Sequence, residues 1–129
     1  LVPHAGDWRD AAIYRAGMEF NNPLMVRSTD AHTGSQPARW GLLESSSPRV
    51  VISAVKTSRD GRIAVRVYEP EGKAVSGVRL RFAVPVTRVH EANLIEDPGR
   101  EIPVRDRAFS FDLRPFEIKT FVLETMRGE

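Results

Sequence analysis

The chain has 129 residues, enough for one domain that can bury roughly two-thirds of its unfolded surface. Charged residues make up 28% and hydrophobic residues 41%, as in ordinary soluble domains. A net charge of +2 is too small to indicate a nucleic-acid partner, and no apolar run is long enough to predict a membrane span. The absence of cysteine excludes a disulfide framework and a thiolate metal site.

The start of the sequence indicates a fragment of a longer polypeptide. It begins without an initiator methionine, and Leu1-Val2-Pro3 reads as the tail of a strand. No signal peptide with a basic start and an apolar middle is visible, so the expected compartment is the cytoplasm.

A helix is predicted from about Trp8 to Phe20, with Asp7 as its N-cap and Asn21-Asn22-Pro23 as its end. Its apolar residues are more numerous than one packing stripe requires. We therefore expect some of them to be exposed on a former interdomain face, through which the fragment would self-associate. These residues are Trp8, Ile13, Tyr14, Met18 and Phe20.

Beyond a polar loop at 28–37, the pattern is that of short strands separated by turn residues, which is typical of a sandwich. The predicted fold is mainly β, an antiparallel β-sandwich of about eight short strands with one N-terminal helix. The expected organisation is a single domain, 1–129, with a strand tail and helix at 1–27 and the sandwich at 38–129. The predicted strands are 39–44, 50–56, 62–69, 78–82, 86–95, 102–104, 108–114 and 116–123.

Alternation within these strands predicts the core. The run at 50–56 is almost wholly apolar and β-branched, which predicts a central strand. Phe111 and Ile118 are expected to be buried, as are Val65 and Leu80. Truncating Phe111 to alanine is then expected to cost about 3–5 kcal/mol.

No pattern predicts a metal site. His4, His32 and His90 are far apart, and none has a second ligand at helical spacing. His4, Asp7 and Trp8 are candidate substrate contacts, with Trp8 as a platform for a sugar ring. The alternative, which we favour, is structural: Asp7 caps the helix, Trp8 packs in the core and His4 bonds to a carbonyl.

Glycoside hydrolysis would need paired carboxylates, and no spacing marks out a pair. Four acidic residues are candidates by type alone, so no catalytic residue is assigned: Glu91, Glu96, Asp97 and Glu117. An autonomous carbohydrate-binding module is an alternative function, with Trp8, Trp40 and Tyr68 as its possible platforms. Because Trp40 and Tyr68 lie in predicted strands, core packing is expected for them.

Four segments, in this order, resemble the C-terminal region of glycoside hydrolase family 38 α-mannosidases. The first is PHAGDWRDAAIYRAGMEFNNPL, at 3–24. The others fall in the β part: SAVKTSRDGRIAVRVYEPEG at 53–72, HEANLIED at 90–97 and LRPFEIKTFVL at 113–123. Together they cover nearly the whole chain.

The resemblance implies a parent enzyme that hydrolyses α-linked mannose with retention, using an aspartate nucleophile and a divalent metal, usually zinc. Those residues belong to an N-terminal catalytic part that this sequence does not contain, so none is carried onto it. The implied role of this fragment is a non-catalytic domain that packs on the catalytic domain of the same chain and shapes its cleft. Its implied partners are that domain and, through the parent, mannose-containing carbohydrate, with no membrane or nucleic acid.

Overall fold

The computed structural model describes residues 2–31, 33–35 and 37–125. Leu1 and His32, on which sequence predictions fall, lie outside these residues. The chain divides into two compact units, Leu1–Ala38 and Arg39–Glu129. The expectation that 1–129 forms a single domain stays a prediction.

In the first unit, helix α1 is shorter than predicted, spanning Ile13–Asn21. Asp7 is not its N-cap, because the residue before the helix is Ala12, whose φ of 49° is left-handed and interrupts the run of turns at 8–12. Asp7 instead accepts the Arg9 backbone N–H at 2.8 Å, forming a local turn that competes with a helix start. Val2 and Pro3 do not belong to a strand, contrary to the prediction.

The apolar residues of this unit are not gathered into a core, since no residue of α1 is buried. Trp8 and Phe20 are exposed, which confirms that some of the five predicted residues lie at the surface. Ile13, Tyr14 and Met18 are half-buried. Within the described residues, no helix is both long and apolar enough to cross a bilayer.

The second unit contains eight strands in two antiparallel sheets, which confirms the predicted sandwich. The three-stranded sheet has the order β1-β4-β7, and the five-stranded sheet has the order β2-β3-β8-β5-β6. The strands are β1 Leu43–Ser45, β2 Val51–Thr57, β3 Ile63–Tyr68, β4 Val75–Phe82, β5 Val86–Ala92, β6 Pro98–Ile102, β7 Ala108–Leu113 and β8 Ile118–Thr125.

The core lies between the facing sheets and centres on aromatic rings. Phe109 and Phe111 of β7 meet Phe121 of β8, with ring centroids 4.7 and 4.8 Å from that of Phe121. Val65 and Leu80 are fully buried beside them and Phe111 is 8% exposed, as predicted. Such offset and edge-on aromatic pairs add to the free energy gained by burial alone.

Ile118, however, is 53% exposed, so its predicted burial is wrong. On β8 the residues that face the core are Phe121 and Leu123. Ile118 shares the opposite, outer face with Thr120 and Val122, and it lies at the first position of the strand. The middle residues of β8 are buried on both faces of the sheet. Apolar character alone therefore did not show which face of this strand points to the core.

Strand β2 is an edge strand of the five-stranded sheet rather than the predicted central one. Its register shifts between Ile52 and Ala54, and Val55 on the same strand is exposed. Bulges of this kind discourage pairing with a further strand. The predicted bounds of β1, β5 and β6 are also wrong. A turn at 93–97 ends β5 early. Strand β6 then starts at Pro98, and an edge strand tolerates proline at its first position.

Candidate functional site

A buried carboxylate, that of Glu69, organises one end of the sandwich. Glu69 is 1% exposed and follows the last residue of β3. Its Oε1 accepts the backbone N–H of Glu71 at 2.9 Å, and its Oε2 accepts those of Gly72 at 2.7 Å, Lys73 at 3.1 Å and Phe116 at 3.1 Å. Four backbone donors on one carboxylate compensate for the cost of burying its charge.

Three chain connections that pass between the sheets meet at this carboxylate: β1–β2, β3–β4 and β7–β8. From the first connection, Arg49 pairs with Glu71 at 3.0 Å, lies 3.8 Å from Glu69 and donates to the Lys73 carbonyl. From the third, the Glu117 carbonyl accepts the Glu69 N–H at 3.1 Å. We call Glu69, Arg49, Glu71 and the four backbone N–H groups that donate to the Glu69 carboxylate the Glu69 cluster. This cluster fastens the two sheets together at this end of the sandwich.

The pKa of Glu69 reflects two opposing effects. Burial of the carboxyl raises the pKa, but the four backbone N–H donors together lower it by a larger amount. The pKa of Glu69 therefore lies below its ordinary value. The pKa of Glu117 is also lowered: burial raises it, and bonds from the Arg114 backbone and side chain outweigh that. Both groups are therefore ionised at neutral pH.

A second polar network lies on the outer face of the five-stranded sheet. Lys56 of β2 pairs with Glu96 at 2.5 Å, and Arg66 of β3 lies 3.9 Å from the same carboxylate. Arg66 also donates to the Leu94 carbonyl at 2.9 Å and to the Thr120 hydroxyl at 3.2 Å. These contacts hold the 93–97 turn across this face.

The four acidic residues considered as catalytic candidates all have structural partners. Glu91 pairs with Lys119 at 3.1 Å and Arg100 at 3.2 Å, and Glu96 pairs with Lys56. Asp97 accepts from the Asn93 side chain at 3.2 Å, within the turn. Glu117 pairs with Arg114 at 2.9 Å. The carboxylates of Glu91, Glu96 and Glu117 thus form ion pairs, and that of Asp97 accepts a hydrogen bond from a neutral amide.

The candidate substrate contacts lie in the first unit. His4 is exposed, and Trp8 is 38% exposed rather than packed in a core. The Arg9 guanidinium stands 4.4 Å from the centroid of the Trp8 ring and pairs with Asp7 at 3.1 Å. This arginine already covers one ring face of Trp8 by a cation–π contact.

The other aromatic and histidine candidates lie in the second unit. Trp40 is exposed before β1, so its expected core packing is wrong, whereas Tyr68 is half-buried at the end of β3. His90 of β5 has its Nε2 3.7 Å from a Glu101 oxygen, and its buried Nδ1 has no hydrogen-bond partner. Among the residues that the structure describes, no three or more possible metal ligands lie together in a cluster.

A cleft of about 400 Å³ opens between the ends of β6 and β7. Arg79, Arg105, Asp106 and Ser110 line it together with apolar residues. Among its described lining residues Asp106 is the one carboxylate, so the cleft offers no acid–nucleophile pair for glycoside chemistry.

Residues 49–121 match the description "Glycosyl hydrolases family 38 C-terminal beta sandwich domain". The chain belongs to this family. It is 28% identical to human "Alpha-mannosidase 2C1" over 129 residues, and 26% identical to the mouse protein of the same name. Each match covers 95% of this chain but 12% of the relative, so the chain spans about one-eighth of the length of the curated proteins it matches.

The segments that carried the resemblance contain most of the residues in the two polar networks. Lys56, Arg66 and Glu69 come from the segment at 53–72, Glu96 from 90–97, and Phe116 and Thr120 from 113–123. Sequence reasoning missed Glu69. The available signal was an acidic residue just before Pro70-Glu71-Gly72, because such a turn presents successive backbone N–H groups to a neighbouring carboxylate.

Proposed function

We propose that this chain is a non-catalytic C-terminal part of a longer α-mannosidase, in which the sandwich packs on the catalytic part and helps to shape its cleft. The observation that carries the proposal is the match of residues 49–121 to the family's C-terminal sandwich, together with two relatives named as α-mannosidases. The structural pairing of Glu91, Glu96, Asp97 and Glu117 supports it, because each of them has a partner within the fold.

Under this proposal, the metal and the substrate belong to the rest of the polypeptide. The described residues of this chain do not provide a zinc site, since they contain no cluster of three suitable ligands. The zinc that the resemblance implies for the parent enzyme is, under this proposal, held by the rest of the polypeptide, as is the mannose-containing carbohydrate. His4, Asp7 and Trp8 stay candidates for contacts to that substrate, and the cytoplasmic location stays a prediction.

The first expected result is that the 129-residue chain alone does not hydrolyse an aryl α-mannoside, with or without added zinc. The reason is that, under this proposal, the acid, the nucleophile and the metal belong to the rest of the polypeptide. The assay should follow release of the aryl group over hours at neutral pH, with the longer gene product as the positive control. Hydrolysis by a preparation shown to be free of the longer product would overturn the proposal.

A further inference from the structure

Phe116, in the β7–β8 connection, combines two unfavourable properties. Its backbone has a φ of 58°, a left-handed conformation that is rare for a bulky residue, and its side chain is 60% exposed. Strain of this kind persists only where the surrounding structure imposes it, and it concentrates at functional sites. A strained residue that buries little of its own side chain in the sandwich calls for an explanation outside the sandwich.

Two features of the Glu69 cluster hold Phe116 in this position. The Glu69 carboxylate accepts the Phe116 N–H at 3.1 Å, which fixes the strained backbone. Gly72, itself fixed by its 2.7 Å bond to Glu69, leaves room for the ring: a Cβ there would lie 2.5 Å from the Phe116 Cζ. The buried carboxylate thus sets the ring's direction before any partner arrives.

Other apolar side chains are exposed on segments next to Phe116. Ile118 lies two residues further along, on the outer face of β8, and is exposed. Leu94 and Ile95, also exposed, lie on the turn that Arg66 holds across this face. We call Phe116, Ile118, Leu94 and Ile95 the β8 patch. Four exposed apolar side chains on fastened, neighbouring elements are better suited to contact with a partner than with water.

We propose that the β8 patch is the surface through which the sandwich docks onto the rest of the same polypeptide, with Phe116 as a preorganised anchor. This inference rests on the proposed function. The partner that covers the patch is an apolar protein surface elsewhere in the longer polypeptide. It lies in the part that corresponds to the seven-eighths of the relatives' length that this chain does not cover. Buried aromatic anchors that need no reorganisation are typical of the residues that dominate interfaces.

The chemistry around the patch favours protein over carbohydrate as the occupant. Sugar and other small-molecule sites need several polar groups that converge on the ligand. Here the nearby polar groups bond to one another: Arg114 with Glu117, Glu96 with Lys56, and Glu69 with backbone N–H groups. The patch therefore offers apolar contact area bordered by groups that already have partners.

The test is hydrogen exchange of backbone amides in the 129-residue chain and in the longer gene product. Docking should slow exchange of the Leu94, Ile95 and Ile118 amides in the longer product by tenfold or more. The double variant Phe116→Gly with Ile118→Lys should return these amides to the rates of the isolated chain. Trp40→Ala, which removes an exposed aromatic residue outside the patch, should leave the protection unchanged.

Two further variants guard against a trivial loss of folding. Phe116→Gly removes the ring and the strain together, so the thermal midpoint of the 129-residue chain should move by less than about 4 °C. Gly72→Ala displaces the ring while keeping it, and should also reduce protection in the longer product. Gly61→Ala is its matched control, because Gly61 has a similar φ of 83° but open space around a new Cβ.

The outcomes separate the two proposals. One outcome is that amides on another face of the sandwich are protected in the longer product, while amides of the β8 patch exchange as fast as in the 129-residue chain. In that case the patch inference is wrong and the proposed function stands. If no part of the sandwich gains protection in the longer product, both are wrong. If protection of the patch requires added mannooligosaccharide, the occupant is the carbohydrate and the patch inference fails.

Discussion

Replacing Phe111 with alanine is expected to lower the free energy of unfolding of the sandwich by about 3–5 kcal/mol. The ring is 8% exposed and packs against Phe109 and Phe121, with centroid distances of 5.8 and 4.8 Å. Its removal leaves a cavity between two sheets that are fastened at one end by the Glu69 cluster, which limits collapse around the gap. Because domains are stable by only about 5–15 kcal/mol, the loss should be evident in chemical denaturation.

Phe116→Ala is the matched control for this experiment. It removes the same side chain from a position that is 60% exposed, so the expected cost is below about 1 kcal/mol. Equal effects of the two variants would contradict the assignment of Phe111 to the core and Phe116 to the surface.

The second large effect is expected for Glu69→Gln, at about 2–4 kcal/mol of destabilisation. The substitution keeps the shape of the side chain but replaces one carboxylate oxygen with an NH₂ group. Whichever way the amide turns, this group would face a buried backbone donor, either the Glu71 N–H on one side or the Gly72, Lys73 and Phe116 N–H groups on the other, and those donors would lose their acceptor. Glu44→Gln, at an exposed strand position, is the control and should change the unfolding free energy little.

Acid should weaken the sandwich through the same carboxylate. Because the pKa of Glu69 is lower when folded than when unfolded, its ionised form contributes stability above the ordinary glutamate pKa of about 4.3. That contribution is lost as the pH falls below about 4.3 towards the folded pKa. Unfolding measured between pH 7 and pH 2 should therefore show a smaller pH dependence in Glu69→Gln than in the unchanged chain. Identical slopes would contradict the role assigned to this carboxylate.

Periodicity predicted the strands well where one face of a strand is apolar and the other polar. In β4, Val78, Leu80 and Phe82 alternate with arginines and are all buried. In β8 the apolar residues occupy both faces, so the sequence did not show that Phe121 rather than Ile118 faces the core. For β2, an apolar composition indicated a central strand, yet pairing order depends on long-range contacts that composition does not encode.

The polar networks were predicted least well, since they depend on how distant segments meet. Glu69 and Phe116 are 47 residues apart, and their contact follows from two connections arriving at one end of the sandwich. The helix start was missed for a local reason: Ala12 adopts a left-handed conformation that helix propensity does not predict. The family, by contrast, was predicted from four segments in the family's order, and these segments contain most of the residues of the two networks.

The most direct test of the central claim is thermal inactivation of the longer gene product with and without residues 39–129. If the sandwich is a structural domain of an α-mannosidase, the intact product should hydrolyse an aryl α-mannoside. The shortened product should be inactive, or should lose activity at least tenfold faster on heating. A shortened product with unchanged activity and unchanged heat resistance would contradict the claim, as would an intact product without α-mannosidase activity.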